Sequence, residues 1–324
     1  MNWALLLVAL FIPQQQAASE TSEDQPFRIG VEVNQVFLSV TARSIQGGFA
    51  KDLKKEDFEI FEDGVRQKIV NFAQEAVPVK VVLLIDASGS TRYSQGQIRR
   101  AALHFAEKLS IEDQVAIITF NDAPRLILNW TNDIEKIKIA LESIYAKGPT
   151  VMNDALYVTF DDLLKDVPGK KAVIMLTDGV DTRSSVTFQE ALDLAVRSEA
   201  IVYTVSKLDE YWSQAIALRP ALTRQGRFIP KELKDDYILE VKRSLQSLGK
   251  MTGGRVLDTK AFNSLTDVYS SVAEELKNQY YLSYVPSNML RNGKWRNVAV
   301  QTFRPGVVVK TRSGYYAPLG DGSE

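Results

Sequence analysis

Four uninterrupted apolar runs constrain this chain more than any other feature: "VKVVLLI" (79–85), "QVAIITF" (114–120), "KAVIMLT" (171–177) and "AIVYTVS" (200–206). A strand with one face in water alternates apolar and polar residues, so a continuous run implies a strand covered on both faces. Helical patterns separate the runs. Ile98, Ala101, Ala102, Phe105 and Leu109 recur at helical spacing, further patterns cover 133–145 and 152–165, and Thr187 with Glu190 forms a capping-box start. "RLILN" (125–129) and "GGRVLD" (253–258) add two shorter strands, and a helix ends near 250. Phe262, Leu265, Tyr269, Val272 and Leu276 mark a closing helix. Such alternation predicts an α/β fold with a doubly wound, mostly parallel, Rossmann-like sheet over 78–277. The connection at 207–237 is longer than this topology needs and reads as an irregular insert.

The flanks differ. Residues 27–77 alternate apolar and polar positions, and Asp63-Gly64 between two strand-like runs is a hairpin signal. Residues 278–318 are β-rich in the same way, since "QYYLSYVP" and "RNVAVQTF" flank the turn signal Asn292-Gly293, and "GVVVKTRSGYY" adds a strand. Neither flank alone has enough core to stand as a domain. The two are therefore expected to pair in space as one β-rich accessory domain, with separate β arms on the sheet edges as the alternative. Tyr280, Tyr281, Tyr284, Tyr315 and Tyr316 are expected to pack within the sheets rather than form a carbohydrate platform.

Lys and Arg (39) balance Asp and Glu (40), so no basic surplus points to nucleic acid. The leader carries an apolar core from Trp3 to Ile12 and a small-residue patch at Ala17, Ala18 and Ser19. Residues 1–19 thus read as a signal peptide, with an uncleaved anchor as the alternative, and imply export to the periplasm or the extracellular space. No later stretch is long and apolar enough to span a membrane. The absence of Cys precludes disulfides, and nothing in the sequence sets an oligomeric state.

The first apolar run ends in "DASGS", the fourth-strand run ends in "TDG", and the second strand's end brings Asn121 and Asp122. In an open parallel sheet the loops at the carboxyl ends of the strands form the binding crevice. In the usual strand order the first and fourth strands are neighbours, which sets Asp86 opposite Asp178. Two carboxylates and several hydroxyls, with a single His and no Cys in the chain, make an all-oxygen set of the kind that suits hard cations.

"DASGS" matches the D-x-S-x-S signature of the metal-ion-dependent adhesion site of von Willebrand factor A domains. Thr150 in "GPTVMNDAL" resembles that family's G-G-T loop, and Asp178 its final aspartate. The wider chain, through "EDGVRQKIVNF", "QYYLSY" and "RPGVVVKTRSGYY", is similar to secreted von Willebrand factor A-related proteins of the acidobacterial type. The resemblance implies that Ser88, Ser90 and Thr150 offer hydroxyls to Mg²⁺, with Mn²⁺ or Ca²⁺ as substitutes. Asp86 and Asp178 would hold its waters or bind it directly. One position would stay open for an acidic residue of a protein partner. Neutral hydroxyls leave the ion electrophilic, whereas direct carboxylates would quench it. Tyr93, Asn121, Asp122, Arg183, Tyr211 and Trp212 are the candidate partner-facing residues. Two departures stand out: Gly148-Pro149 in place of Gly-Gly, and Thr91 where Met is frequent.

Other readings carry less. A structural scaffold whose site holds no ion is the main alternative. A serine hydrolase needs a G-x-S-x-G elbow and a His partner, but "DASGS" lacks the first glycine and His104 lies off its helix's apolar stripe. An aspartyl phosphotransferase expects a second Asp where Ser88 stands. No catalytic residue is assigned, and the chain is expected not to be an enzyme.

Overall fold

The computed structural model describes residues 35–74, 77–225 and 228–320, so the leader at 1–19 and the start of the N-terminal flank lie outside the described residues. Four strands come first: β1 (Val36–Ser44), β2 (Phe58–Glu62), β3 (Val65–Gln67) and β4 (Ile69–Ala73). The α/β body opens with β5 (Val79–Asp86), α1 (Gln95–Glu107), β6 (Gln114–Phe120), β7 (Pro124–Thr131), α2 (Ile134–Glu142) and α3 (Met152–Val158). It continues through β8 (Lys170–Thr177), α4 (Phe188–Arg197), β9 (Ile201–Ser206), α5 (Leu208–Arg224), α6 (Asp235–Thr252), β10 (Arg255–Asp258) and α7 (Leu265–Lys277). Four strands close the chain: β11 (Gln279–Tyr284), β12 (Trp295–Thr302), β13 (Val307–Lys310) and β14 (Gly314–Tyr316).

The body's sheet runs β10-β9-β8-β5-β6-β7, parallel throughout except for β6 with β7. Its continuous apolar runs are explained by burial on both faces. Val81, Leu83 and Ile85 of β5 pack with Phe105 of α1, Ile137 of α2 and Tyr269 of α7. Val82 and Leu84 face Leu156 of α3, Val196 of α4 and Leu245 of α6. Each such side chain, fully buried, contributes about 1.5–3 kcal/mol. Because β5 lies between β8 and β6, strand order reverses on either side of it, and its carboxyl end is the switch point of the sheet.

The flanks build two antiparallel sheets, β13-β1-β11-β4 and β14-β12-β2-β3, and strands from both flanks enter each. Leu38 and Val40 of β1, Ile60 of β2, Leu282 of β11 and Val298 of β12 fill a shared core. Asp63 and Gly64 turn β2 into β3 with positive φ at both, as a tight hairpin requires. Tyr280 is buried here, with its hydroxyl donating to the Ala50 carbonyl at 2.9 Å and accepting from the Leu53 amide at 3.0 Å.

Three local expectations are corrected. Most of the connection at 207–237 is not irregular: α5 occupies Leu208–Arg224 and a short 3₁₀ turn follows at Lys231–Leu233. The helix was hidden because its buried residues are just Leu208 and Ala215, and Pro220 interrupts its pattern. Asn292-Gly293 is a turn, with Gly293 at φ +67°, but it does not join paired strands, since β11 and β12 lie in different sheets. Phe262 precedes α7 rather than belonging to it, although it still packs on the core.

Candidate metal and partner site

β5 delivers Asp86 to the rim fully buried, in register with Phe120 of β6, and the Ala87 amide continues the ladder by donating to the Phe120 carbonyl at 2.8 Å. The chain then leaves the sheet in a 3₁₀ turn at Gly89–Ser94. One Asp86 oxygen accepts from the Ser88 amide at 2.8 Å, and the other accepts from the Thr177 hydroxyl of β8 at 3.1 Å. Ser88 Oγ and Ser90 Oγ lie 3.0 Å apart. Thr91, where the resemblance led one to expect Met, is buried and fastens this turn: its hydroxyl donates to the carbonyls of Asp86 and Ser88 at 2.9 and 3.0 Å.

The loop bearing Thr150 is tied to the first. Gly89 N donates to the Gly148 carbonyl at 3.0 Å, and Lys147 N to the Ala87 carbonyl at 2.8 Å. Thr150 is also stitched to the loop after β8: its amide donates to Thr182 Oγ1 at 3.0 Å, and its carbonyl accepts from the Thr182 and Arg183 amides at 3.0 and 3.2 Å. Asp181 orders that third loop by accepting from the Asn153, Arg183 and Ser184 amides. Asp178 accepts from the Val180 amide at 3.0 Å, and the nearby Ser90 hydroxyl favours its charged form.

The electrostatics of the pair are unbalanced. Asp86 is pushed up to about 7, first by burial and then by the Asp178 charge, and burial raises Asp178 as well. Neither carboxylate makes an ion pair within 4 Å with any Lys or Arg among the described residues. Lys207 acts on Asp178 from a distance while its ammonium binds the Ser94 hydroxyl and pairs with Glu210 at 3.0 Å. Two buried carboxylates beside neutral hydroxyls carry charge that a hard divalent cation would balance. Among the described residues no cluster of three or more His, Cys, Asp or Glu side chains could hold a metal. Ser88 and Thr150 are buried with their loops tied in place, and Ser90 is exposed at the mouth.

The residues expected to face a partner fall into distinct settings. Tyr93 is 98% exposed on the turn after Ser90, and Arg183 is exposed on the third loop. Asn121 is buried and accepts from Arg125 at 2.5 Å, while Asp122 pairs with the same guanidinium at 2.8 Å. Tyr211 lines a recess of about 20 Å³ together with Ser90, Asp178, Lys207 and Gln214, room for one water-sized sphere. Trp212 packs against the core and carries Arg219 4.4 Å above its ring. His104 is half-buried, with Nδ1 3.6 Å from Glu107 Oε2. The pattern of Thr91, Thr177, Asp181 and Thr182, which hold the loops, was not visible as a motif.

Residues 80–230 match the family model described as von Willebrand factor type A domain. Inter-alpha-trypsin inhibitor heavy chain H4 of Sus scrofa is 29% identical over 188 residues, covering 53% of this chain and 18% of the relative, so the chain spans about a fifth of that protein's length. Among solved structures, the conserved hypothetical protein BatB from Bacteroides thetaiotaomicron is 18% identical, with 61% of this chain and 97% of that one covered and a TM-score of 0.43. Proximal thread matrix protein 1 from the mussel byssus, in a form with a zinc-occupied MIDAS motif, is 16% identical, with 66% and 49% covered and a TM-score of 0.46.

Proposed function

Taking residues 80–230 as a von Willebrand factor type A domain, we propose that this chain is a non-enzymatic binding module that captures a protein partner through an acidic side chain. Von Willebrand factor type A domains are protein-interaction modules. The observation that carries the finer reading is the pair of buried carboxylates, Asp86 and Asp178, with no cationic side chain among the described residues paired to either and with the Ser88 and Ser90 hydroxyls beside them. Ser88, Ser90 and Thr150 would hold Mg²⁺, or a similar hard divalent ion, through neutral oxygens, and Asp86 and Asp178 would position its waters or bind it directly. When bound, such an ion supplies an electrophilic coordination position to an incoming carboxylate. The chain's own part is to fix three loops on one rim and to keep two carboxylates out of bulk water.

Tyr93, Arg183 and Tyr211 flank the mouth and would contribute partner specificity, while Asn121 and Asp122 would act through Arg125. Among the described residues no helix is long and apolar enough to cross a membrane. Export, directed by residues 1–19, belongs to the same proposal. The second reading, a scaffold that works without an ion, is supported by Lys207, which lines the recess with Asp178 and offsets part of its charge.

Affinity capture by the immobilised chain, run in Mg²⁺ and in EDTA, separates the two. A partner retained in Mg²⁺, released by EDTA and lost in Ser88→Ala supports the binding module. Identical retention in all three conditions supports the scaffold.

A further inference from the structure

At the opposite end of the body's sheet lies a cavity of about 540 Å³, within the range of pockets that take small organic ligands. Lys170 and Ile201, the first residues of β8 and β9, form one wall, roughly 23 Å along the strand from Thr177. The other wall comes from the flanks: Phe37 and Ser39 of β1, Tyr281 of β11, and Arg312. The cavity is thus a seam between the α/β body and a flank sheet, far from Asp86.

Its lining is apolar in area but cationic in charge. Lys170, Lys171 and Arg312 line it with one carboxylate, Glu199, while buried Asp113 acts on Lys170 from beyond the lining. Arg312 is almost fully buried and fixed in place, with Nη1 2.9 Å from Glu199 Oε1 and Nη2 donating to the Phe37 carbonyl at 3.0 Å. Glu199 follows the end of α4 at φ +58°, a left-handed position where glycine is the usual residue. The chain keeps a carboxylate there despite the strain, and that carboxylate orients Arg312. Lys170 donates to the Leu276 carbonyl at 2.5 Å above the Tyr281 ring, and burial pulls its ammonium down to about 8. Lys171 donates to the Val167 carbonyl at 2.8 Å, which occupies one of its three N–H groups. Glu199 offsets Arg312 and Asp113 offsets Lys170, which leaves half-buried Lys171 as the cation with no ion pair within 4 Å among the described residues. That ammonium lies in a lining that also carries exposed aromatic surface, Phe37 being 49% exposed.

We propose that this cavity binds an amphiphilic organic carboxylate, its head group between Lys171 and Arg312 and its aliphatic or aryl body on Phe37, Ile201 and Tyr281. Nothing in this site depends on the metal rim.

The test uses the fluorescent probe 8-anilinonaphthalene-1-sulfonate with the folded full chain. Binding is expected to be saturable at one site, equal in EDTA and in Mg²⁺, displaced by decanoate and resistant to decanol and decylammonium. Lys171→Met is expected to weaken the probe and decanoate about tenfold, the scale of one charge-assisted hydrogen bond. Ser39→Trp, which fills the cavity from the flank side, should abolish binding, and decanoate should raise the melting temperature of the unmodified chain and not of this variant. Non-saturable binding, equal displacement by decylammonium, or affinity unchanged in both variants would overturn the proposal.

Discussion

The amide of Gly89 donates to the carbonyl of Gly148 at 3.0 Å, joining the loop that carries Ser88 and Ser90 to the loop that carries Thr150. Gly148 makes that approach at φ +79°, where an L side chain is penalised by about 1–2 kcal/mol. Because an added Cβ would meet no neighbour, Gly148→Ala is expected to fold. It should lower stability by about that amount and weaken Mg²⁺ binding through displacement of Thr150. Thermal denaturation and calorimetry on the same sample check both effects, and unchanged Mg²⁺ affinity would separate the loop contact from the site.

Thr91 offers a second test of the same loop. Its buried hydroxyl serves the carbonyls of Asp86 and Ser88 and accepts from Gln95 at 3.1 Å. Thr91→Val keeps the volume and removes these bonds, so a loss of about 1–3 kcal/mol is expected in urea denaturation. Stability equal to that of the parent chain would show that water replaces the hydroxyl.

The carboxylate pair sets a pH dependence. Metal-free Asp86 is held up to about 7 in the folded chain, against 3.8 ordinarily. Between those values the folded state keeps a proton that the unfolded state has released, so stability contributed by this group is present at low pH and is lost as pH rises toward 7. Asp178 shifts in the same direction. A carboxylate held low, such as Asp133, acts below that window with the opposite sign. In EDTA, denaturation is expected to show lower stability at pH 7.5 than at pH 5, by a difference that shrinks in Asp86→Asn. A parent chain equally stable at both values would contradict it.

In the flank core, Glu62 accepts from the hydroxyls of Tyr284 and Tyr315 at 2.7 and 2.8 Å and pairs with Arg296 at 3.0 Å, both charges nearly inaccessible. Removing one member leaves the other buried without its partner. Glu62→Leu is expected to lose about 3–5 kcal/mol, and the double variant with Arg296→Met to recover part of it. Equal losses in the single and double variants would indicate that packing, not charge, holds this core.

Much of the body was legible because β5, β6, β8 and β9 are buried on both faces, which forces continuous apolar runs that ordinary loops do not show. α5 was illegible for the converse reason: Leu208 and Ala215 leave too thin a stripe to register as periodic. At the rim, Thr150 is reached only through the resemblance of its loop to G-G-T, whereas Asp86, Ser88 and Ser90 stand close in the chain and announce themselves, and Asp178 follows from the end of a predicted strand. Thr177 and Thr182 do not, since what recruits them is a hydrogen bond across strands or loops that spacing cannot reveal. Asn121 illustrates the same limit, because its engagement with Arg125 depends on the antiparallel return of β7.

Whether Asp86, Ser88, Ser90, Thr150 and Asp178 hold a hard divalent cation is tested most directly by titrating the metal-free chain with Mg²⁺ and Mn²⁺ in a calorimeter. The unmodified chain is expected to bind one ion. Ser88→Ala and Asp178→Asn should each lose at least the roughly 10- to 100-fold that even outer-shell partners of a metal contribute. No binding by the unmodified chain, or the same affinity in both variants, would contradict the assignment.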